Sequence, residues 1–199
     1  MSKIQRPVYY IQVTFNTEPE VNSTLLKNLE KKYKNFKLIS LPARVLFKNT
    51  IFQQTYNETG NHFSLLVKVL MTWNFGGLVI DSKLIAIKPY QEDLLRNNNV
   101  VIGISKGEIV LIDTKRYCHS YIFELMKVLT ERGVLELSED EMAEIALKRF
   151  NNDRGGHNGV DLISDPDWIC NSETKTDKCV FLNSKYCESK WLEEFCSGF

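Results

Sequence analysis

Apolar residues recur along this chain with two different periods, and the period separates strands from helices. In "VYYIQVTF" (8–15), Tyr9, Ile11, Val13 and Phe15 take every second position, as in a strand with one face on a core. After an acidic turn, Ser23 can cap a helix in which Leu25, Leu26, Leu29 and Tyr33 recur at helical spacing, with Lys27, Lys31 and Lys34 on another face. "HFSLLVKVLMTWNF" puts Phe63, Leu65, Val67, Val69, Met71, Trp73 and Phe75 at alternate positions, which predicts a second strand. The short apolar runs "GLVI", "KLIAI", "VVIGI" and "EIVLID" follow, broken at Asp81-Ser82, at a short helix around "YQEDLLRNN" and at Lys106-Gly107. Together these segments predict an antiparallel meander over residues 62–114.

The period then lengthens. Tyr121, Ile122, Leu125, Met126 and Leu129 make the buried stripe of an amphipathic helix that Gly133 can end. Ser138 and Glu141 form an S-x-x-E capping box for the next helix, whose stripe is Met142, Ile145, Ala146 and Phe150. The acidic surfaces of this pair argue against a DNA-reading helix-turn-helix. Beyond it lie a glycine-rich stretch, the segment "DPDWIC" and a last helix, "SKYCESKWLEEF", with Cys187, Trp191 and Phe195 four apart. The expected fold is α+β: an antiparallel β-meander packed by amphipathic helices, with a helical or irregular, cysteine-containing C-terminal extension. Residues 1–150 form the domain, and 151–199 pack on it as the extension.

Composition changes this picture little. At 199 residues, 43% hydrophobic and 25% charged, the chain is long enough to bury a core without staples. The N-terminus reads as no signal peptide, and no apolar run reaches the ~18 residues of a membrane span. The expectation is a soluble protein retained inside a cell, in cytoplasm or nucleus, with no membrane insertion. Charge adds more. The net charge is zero, yet residues 1–116 hold 16 Lys/Arg against 9 Asp/Glu, and residues 117–199 hold 9 against 16. Such a split suits intramolecular docking of the two halves or two surfaces facing different partners, and not the uniform basicity of a nucleic-acid binder.

Three features are candidates for chemistry. In "NNDRGGHNGVDLISD" (151–165), glycines 155, 156 and 159 leave His157 accessible, and Asp153 or Asp161 could orient its ring for general-base work or metal binding; the competing reading is a plain helix-to-extension connection. Cys170, Cys179, Cys187 and Cys196 are separated by nine, eight and nine residues, unlike the C-x-x-C knuckles of zinc sites. Unlinked thiols are expected there, with disulfides and a zinc site as alternatives. Lys27, Lys31, Lys34 and Lys37, with Tyr33 and Phe36 interleaved, read as one basic helix face able to meet nucleic acid or an acidic partner.

Two resemblances attach to these residues. "GGHNG" followed by "VDLIS" resembles the Gly-Gly-His-Asn-Gly segment of bacterial-type peptidyl-tRNA hydrolases, which would match Asn158 to that family's substrate-contacting asparagine and His157 to its neighbour. That family's glycine-rich opening and Arg-His-Asn motif have no counterpart here, so its activity does not carry over. "VVIGISKGEIVLID" resembles a strand pair of Smi1/Knr4-type immunity domains. Walker A, Gly-x-Gly-x-x-Gly, G-x-S-x-G and H-E-x-x-H motifs are all missing. The balance points away from an enzyme and toward a protein-binding factor, a viral or bacterial accessory, inhibitor or immunity-type protein. Its expected partner is another protein, with nucleic acid as the alternative and no cofactor unless the cysteines hold zinc. The rival is a small enzyme acting on nucleic acid or a phosphorylated substrate through the His157 loop.

Overall fold

A computed structural model describes residues 8–14, 24–54, 62–81, 83–86, 99–131, 136–154, 159–170 and 179–183. The chain divides into two units, Met1–Tyr56 and Asn57–Gly198. Both helices and strands are present, and the class is α+β.

In the first unit, β1 (Val8–Thr14) and β2 (Phe36–Pro42) pair in parallel, with α1 (Thr24–Lys32) between them and a short α2 (Ala43–Leu46) after. Parallel strands need such a crossover. Glu30 Oε1 accepts the backbone N–H of Leu38 at 3.3 Å, tying the helix to the second strand. The basic helix face is corrected here: α1 ends at Lys32, Lys34 lies in a turn and Lys37 is on β2, so the four lysines share no helix face. Tyr33, expected in the buried stripe, is exposed.

The second unit opens with the largest correction. The segment read as a strand is a helix, α3 (Phe63–Phe75). Leu65, Leu66, Lys68, Val69, Leu70, Met71 and Thr72 are all buried, so the helix is covered nearly all round, and its one polar stripe, Ser64, Lys68 and Thr72 at every fourth position, lies mostly inside. After it come β3 (Gly77–Ile80), β4 (Leu84–Ala86), β5 (Val100–Ser105) and β6 (Glu108–Thr114), then α4 (Ser120–Val128), α5 (Glu139–Arg154), β7 (Val160–Ser164), β8 (Ile169–Cys170) and β9 (Phe181–Asn183).

The main sheet runs β3-β6-β5-β7. β3/β6 and β5/β6 are antiparallel, while β7 joins β5 in parallel, so the strands are not one meander. β4 leaves for a second sheet, ordered β4-β9-β8. The β5–β6 hairpin does turn at Lys106-Gly107, both at positive φ (52° and 79°), the backbone a tight hairpin requires.

Every residue from Ile109 to Thr114 of β6 is buried, which requires cover on both faces of the strand. Helices α3 and α5 lie against β6. Trp168 sits over Gly103 and Leu111, in a cluster with Leu84, Val110 and Phe181. The capping box holds, with Glu141 Oε2 accepting from Ser138 N at 2.9 Å and Ser138 Oγ at 2.6 Å. The α4 stripe also holds, since Tyr121, Ile122, Leu125, Met126 and Leu129 are buried. The short helix around residues 90–98, Ser23, Gly133 and the last helix lie outside the described residues.

Candidate protein-interaction site

The sequence candidates do not converge on one place. His157 lies outside the described residues, and Asp153 falls on the last turn of α5. Asp161 is half-buried on β7, in register with Val101. The stretch that carries them is a helix end leading to a strand. Lys27, Lys31, Lys34 and Lys37 are exposed in the first unit. Cys170 and Cys179 are joined in a disulfide, not held as free thiols, and disulfide sulfurs offer no thiolate to a metal. The four-cysteine zinc set therefore loses two of its members. Cys187 and Cys196 lie outside the described residues. Among the described residues no group of three or more His, Cys, Asp or Glu could hold a metal ion.

The chemistry instead concentrates at a corner of the second unit, where α3 meets β3. Gly76 turns the chain there with φ +65°, and a Cβ on it would stand 2.9 Å from Tyr117 N and 3.0 Å from Arg116 C. Only glycine lets the two backbone segments cross this closely. Cys118 N–H donates to Trp73 O at 2.8 Å and fixes the crossing. The Trp73 and Phe123 rings lie 5.4 Å apart, and Lys127 Nζ is 4.7 Å from the centroid of the Phe123 ring.

Several large apolar residues on the elements that meet here face water: Phe75 is 75% exposed, Tyr117 67%, Leu78 38% and Phe123 37%. Single exposed apolar residues are ordinary, but Phe75 and Tyr117, brought close where residues 116 and 117 cross Gly76, are both more than half exposed. Beside the patch, Asn99, Arg116, Tyr117, Cys118, His119 and Ser120 line a cleft of about 380 Å³. His119 caps α4, its Nδ1 accepting from Tyr121 N at 3.3 Å.

Sequence reasoning missed this corner because Phe75 counted as a strand-face residue and Tyr117 belonged to no element. One signal was available. Phe123 falls off the buried stripe of α4, as an aromatic kept at the surface would.

A second constellation is buried and links three elements. Lys68 of α3 donates to Asp81 Oδ2 at 3.0 Å and to the Ile109 carbonyl. Asp81 also accepts from Ser64 Oγ at 3.1 Å and Lys83 N at 3.0 Å. Burial acts to raise the Asp81 carboxyl, but Lys68, the Lys83 N–H and Ser64 together hold it below the usual carboxylate range. Glu139, at the start of α5, accepts from Ile109 N at 2.6 Å and lies 3.7 Å from His62 Nδ1. Burial dominates there and pushes its carboxyl up, against Lys68, the Ile109 N–H and His62. The Lys68, Asp81, His62 and Glu139 side chains are 6–11% exposed, and the described cleft is lined by other residues. The cluster therefore reads as a clasp between α3, β6 and α5.

No protein-family model, curated protein or solved structure matches the chain. No helix among the described residues is long and apolar enough to cross a membrane.

Proposed function

We propose that this chain is a protein-interaction factor that docks a partner protein through the aromatic corner of its second unit. The observation that carries this is the exposure of Phe75 and Tyr117 beside Leu78, Phe123 and Arg116. Aromatic residues and arginine dominate binding hot spots, and covering the exposed part of a Phe or Tyr side chain is worth about 3 kcal/mol each. Stoichiometric docking of this kind is how an accessory, inhibitor or immunity-type protein acts.

Site-specific photo-cross-linking tests it. A cross-linker placed in turn at positions 75, 117 and 123 should give one shared adduct in lysate of the native host, and one at the exposed Lys148 of α5 should not. Phe75→Ala with Tyr117→Ala should abolish that adduct while changing unfolding stability by less than about 0.5 kcal/mol, as expected for exposed positions. Equal adducts from position 148, or none from the corner, would overturn the proposal.

A further inference from the structure

The corner contains an open sheet edge. β3 ends the main sheet and pairs only with β6 among the described residues. Asp81 N–H donates to Val110 O at 2.9 Å, which sets the alternation of the antiparallel ladder. Val79 and Asp81 turn their backbone groups toward β6, so Leu78 and Ile80 turn theirs outward. Among the described residues no backbone hydrogen bond reaches those outward groups. Natural proteins shield such an edge with charge, proline or a covering segment, and "GLVI" carries neither a charged residue nor a proline.

The exposed charge at the Phe75 end of this edge is positive, since Asp81 and Asp113, which adjoin it, are buried. Neither the stretch 73–80 nor the stretch 114–123 contains an acidic residue, while Lys115 and Arg116 are exposed where β6 ends. Lys127 and Glu124 are paired with each other at 2.7 Å and add no net charge. Phe75 and Tyr117 flank the start of β3 with apolar surface.

Resting on the docking reading above, we infer that the partner presents an extended acidic peptide segment, which adds to β3 as a fifth strand of the main sheet. Main-chain hydrogen bonds to Leu78 and Ile80 supply affinity. Alternate side chains of the incoming segment meet Phe75 and Tyr117, and its carboxylates meet Arg116. Single-stranded nucleic acid could also stack on these rings, but it would leave the outward amides and carbonyls of β3 unpaired.

Fluorescence polarisation on the full chain tests the inference with a labelled octapeptide of alternating glutamate and valine ending in tyrosine. The peptide should bind, its lysine-for-glutamate counterpart should not, and oligothymidylate should not displace it. N-methylating alternate amides of one parity should abolish binding, while methylating the other parity should change it less than about threefold, because only one set faces β3. Arg116→Glu and Phe75→Ala should each weaken binding about tenfold or more. Leu78→Pro, which removes only an outward donor, should do the same. If both parities are tolerated while Phe75→Ala still weakens binding, strand addition is wrong and docking at the patch stands. Preference for the lysine peptide or for oligothymidylate, or no binding of the glutamate peptide, overturns the inference. Cross-linking at positions 75 and 117 then judges the docking reading separately.

Discussion

Removing the Lys68 ammonium should be among the most damaging single changes in this protein. The side chain is 6% exposed and its partner Asp81 is 7% exposed, so water cannot replace either one's lost contact. At 3.0 Å the pair's attraction is about 5 kcal/mol in the effective dielectric that describes buried sites, much of it spent on desolvating the two charges. Lys68→Ala keeps the desolvation cost on Asp81 and loses the attraction. It also leaves the Ile109 carbonyl without that donor, so a loss of about 3–5 kcal/mol follows. Against a total stability of about 5–15 kcal/mol this is a large share.

Urea unfolding followed by tryptophan fluorescence is the suitable assay, since Trp73, Trp168 and Trp191 all belong to the second unit. With a slope near 2 kcal/mol per molar, the midpoint should fall by about 2 M. Lys68→Met combined with Asp81→Asn removes both charges at once, and should be less damaging than the sum of the two single changes by at least about 1.5 kcal/mol. The coupling should also depend on pH. The Asp81 carboxyl is lowered on folding, so its contribution is present above its ordinary value of 3.8 and lost as pH falls through the folded one. A loss below about 1 kcal/mol for Lys68→Ala, or strict additivity in the cycle, would refute the clasp.

Three further outcomes are expected. The Glu139 carboxyl is raised on folding, so its contribution is full below its ordinary value of 4.5 and declines as pH rises through the folded one. Glu139→Gln should therefore gain on the unmutated chain as pH rises above about 4.5, and denaturation curves that stay parallel across pH would contradict this. Replacing Cys170 and Cys179 by serine opens the link between β8 and the segment entering β9, at a cost of about 2–3 kcal/mol for a loop of this length. A drop in Tm of about 5–10 °C should follow, matched by reduction of the unmutated protein, and alkylation of native material with and without reductant would show whether its compartment keeps the bond. Gly103→Ala would set a Cβ 2.9 Å from Trp168 Cη2 and 3.3 Å from Leu111 Cβ, so it should cost about 1–3 kcal/mol in the same assay; a neutral result would mean that Trp168 shifts freely.

How far the sequence disclosed this fold depended on whether an element kept a solvent face. α4 and α5 did, and their stripes and the Ser138–Glu141 box were legible. The β5–β6 hairpin announced itself through Lys106-Gly107. α3 kept almost none. Its alternate apolar residues imitate a strand only while Leu66 and Leu70 between them are passed over; those two break the alternation, and Ser64, Lys68 and Thr72 recur every fourth position as on one helix face. The strand β2 was read as the end of a basic helix because Lys37 continued the lysine spacing past the turn at Lys34 and Asn35. β7 was hidden in the loop reading of "VDLIS", since nothing local shows that β5 has a free side waiting for it.

The aromatic corner was illegible for a different reason. Its residues span positions 73 to 123, and they meet only because Gly76 lets residues 116 and 117 cross the end of α3. A sequence pattern assigns an aromatic residue to the core by default, and for Tyr121 and Phe150 that default is right. For Phe75 and Tyr117 it fails, because each follows the last residue its element could bury: one at the end of a helix, the other past the end of a strand. A chain that only had to fold would gain by exchanging such residues for polar ones. Keeping them beside a strand edge that, among the described residues, pairs on one side only joins two costs at one place, and the acidic strand we propose would relieve both.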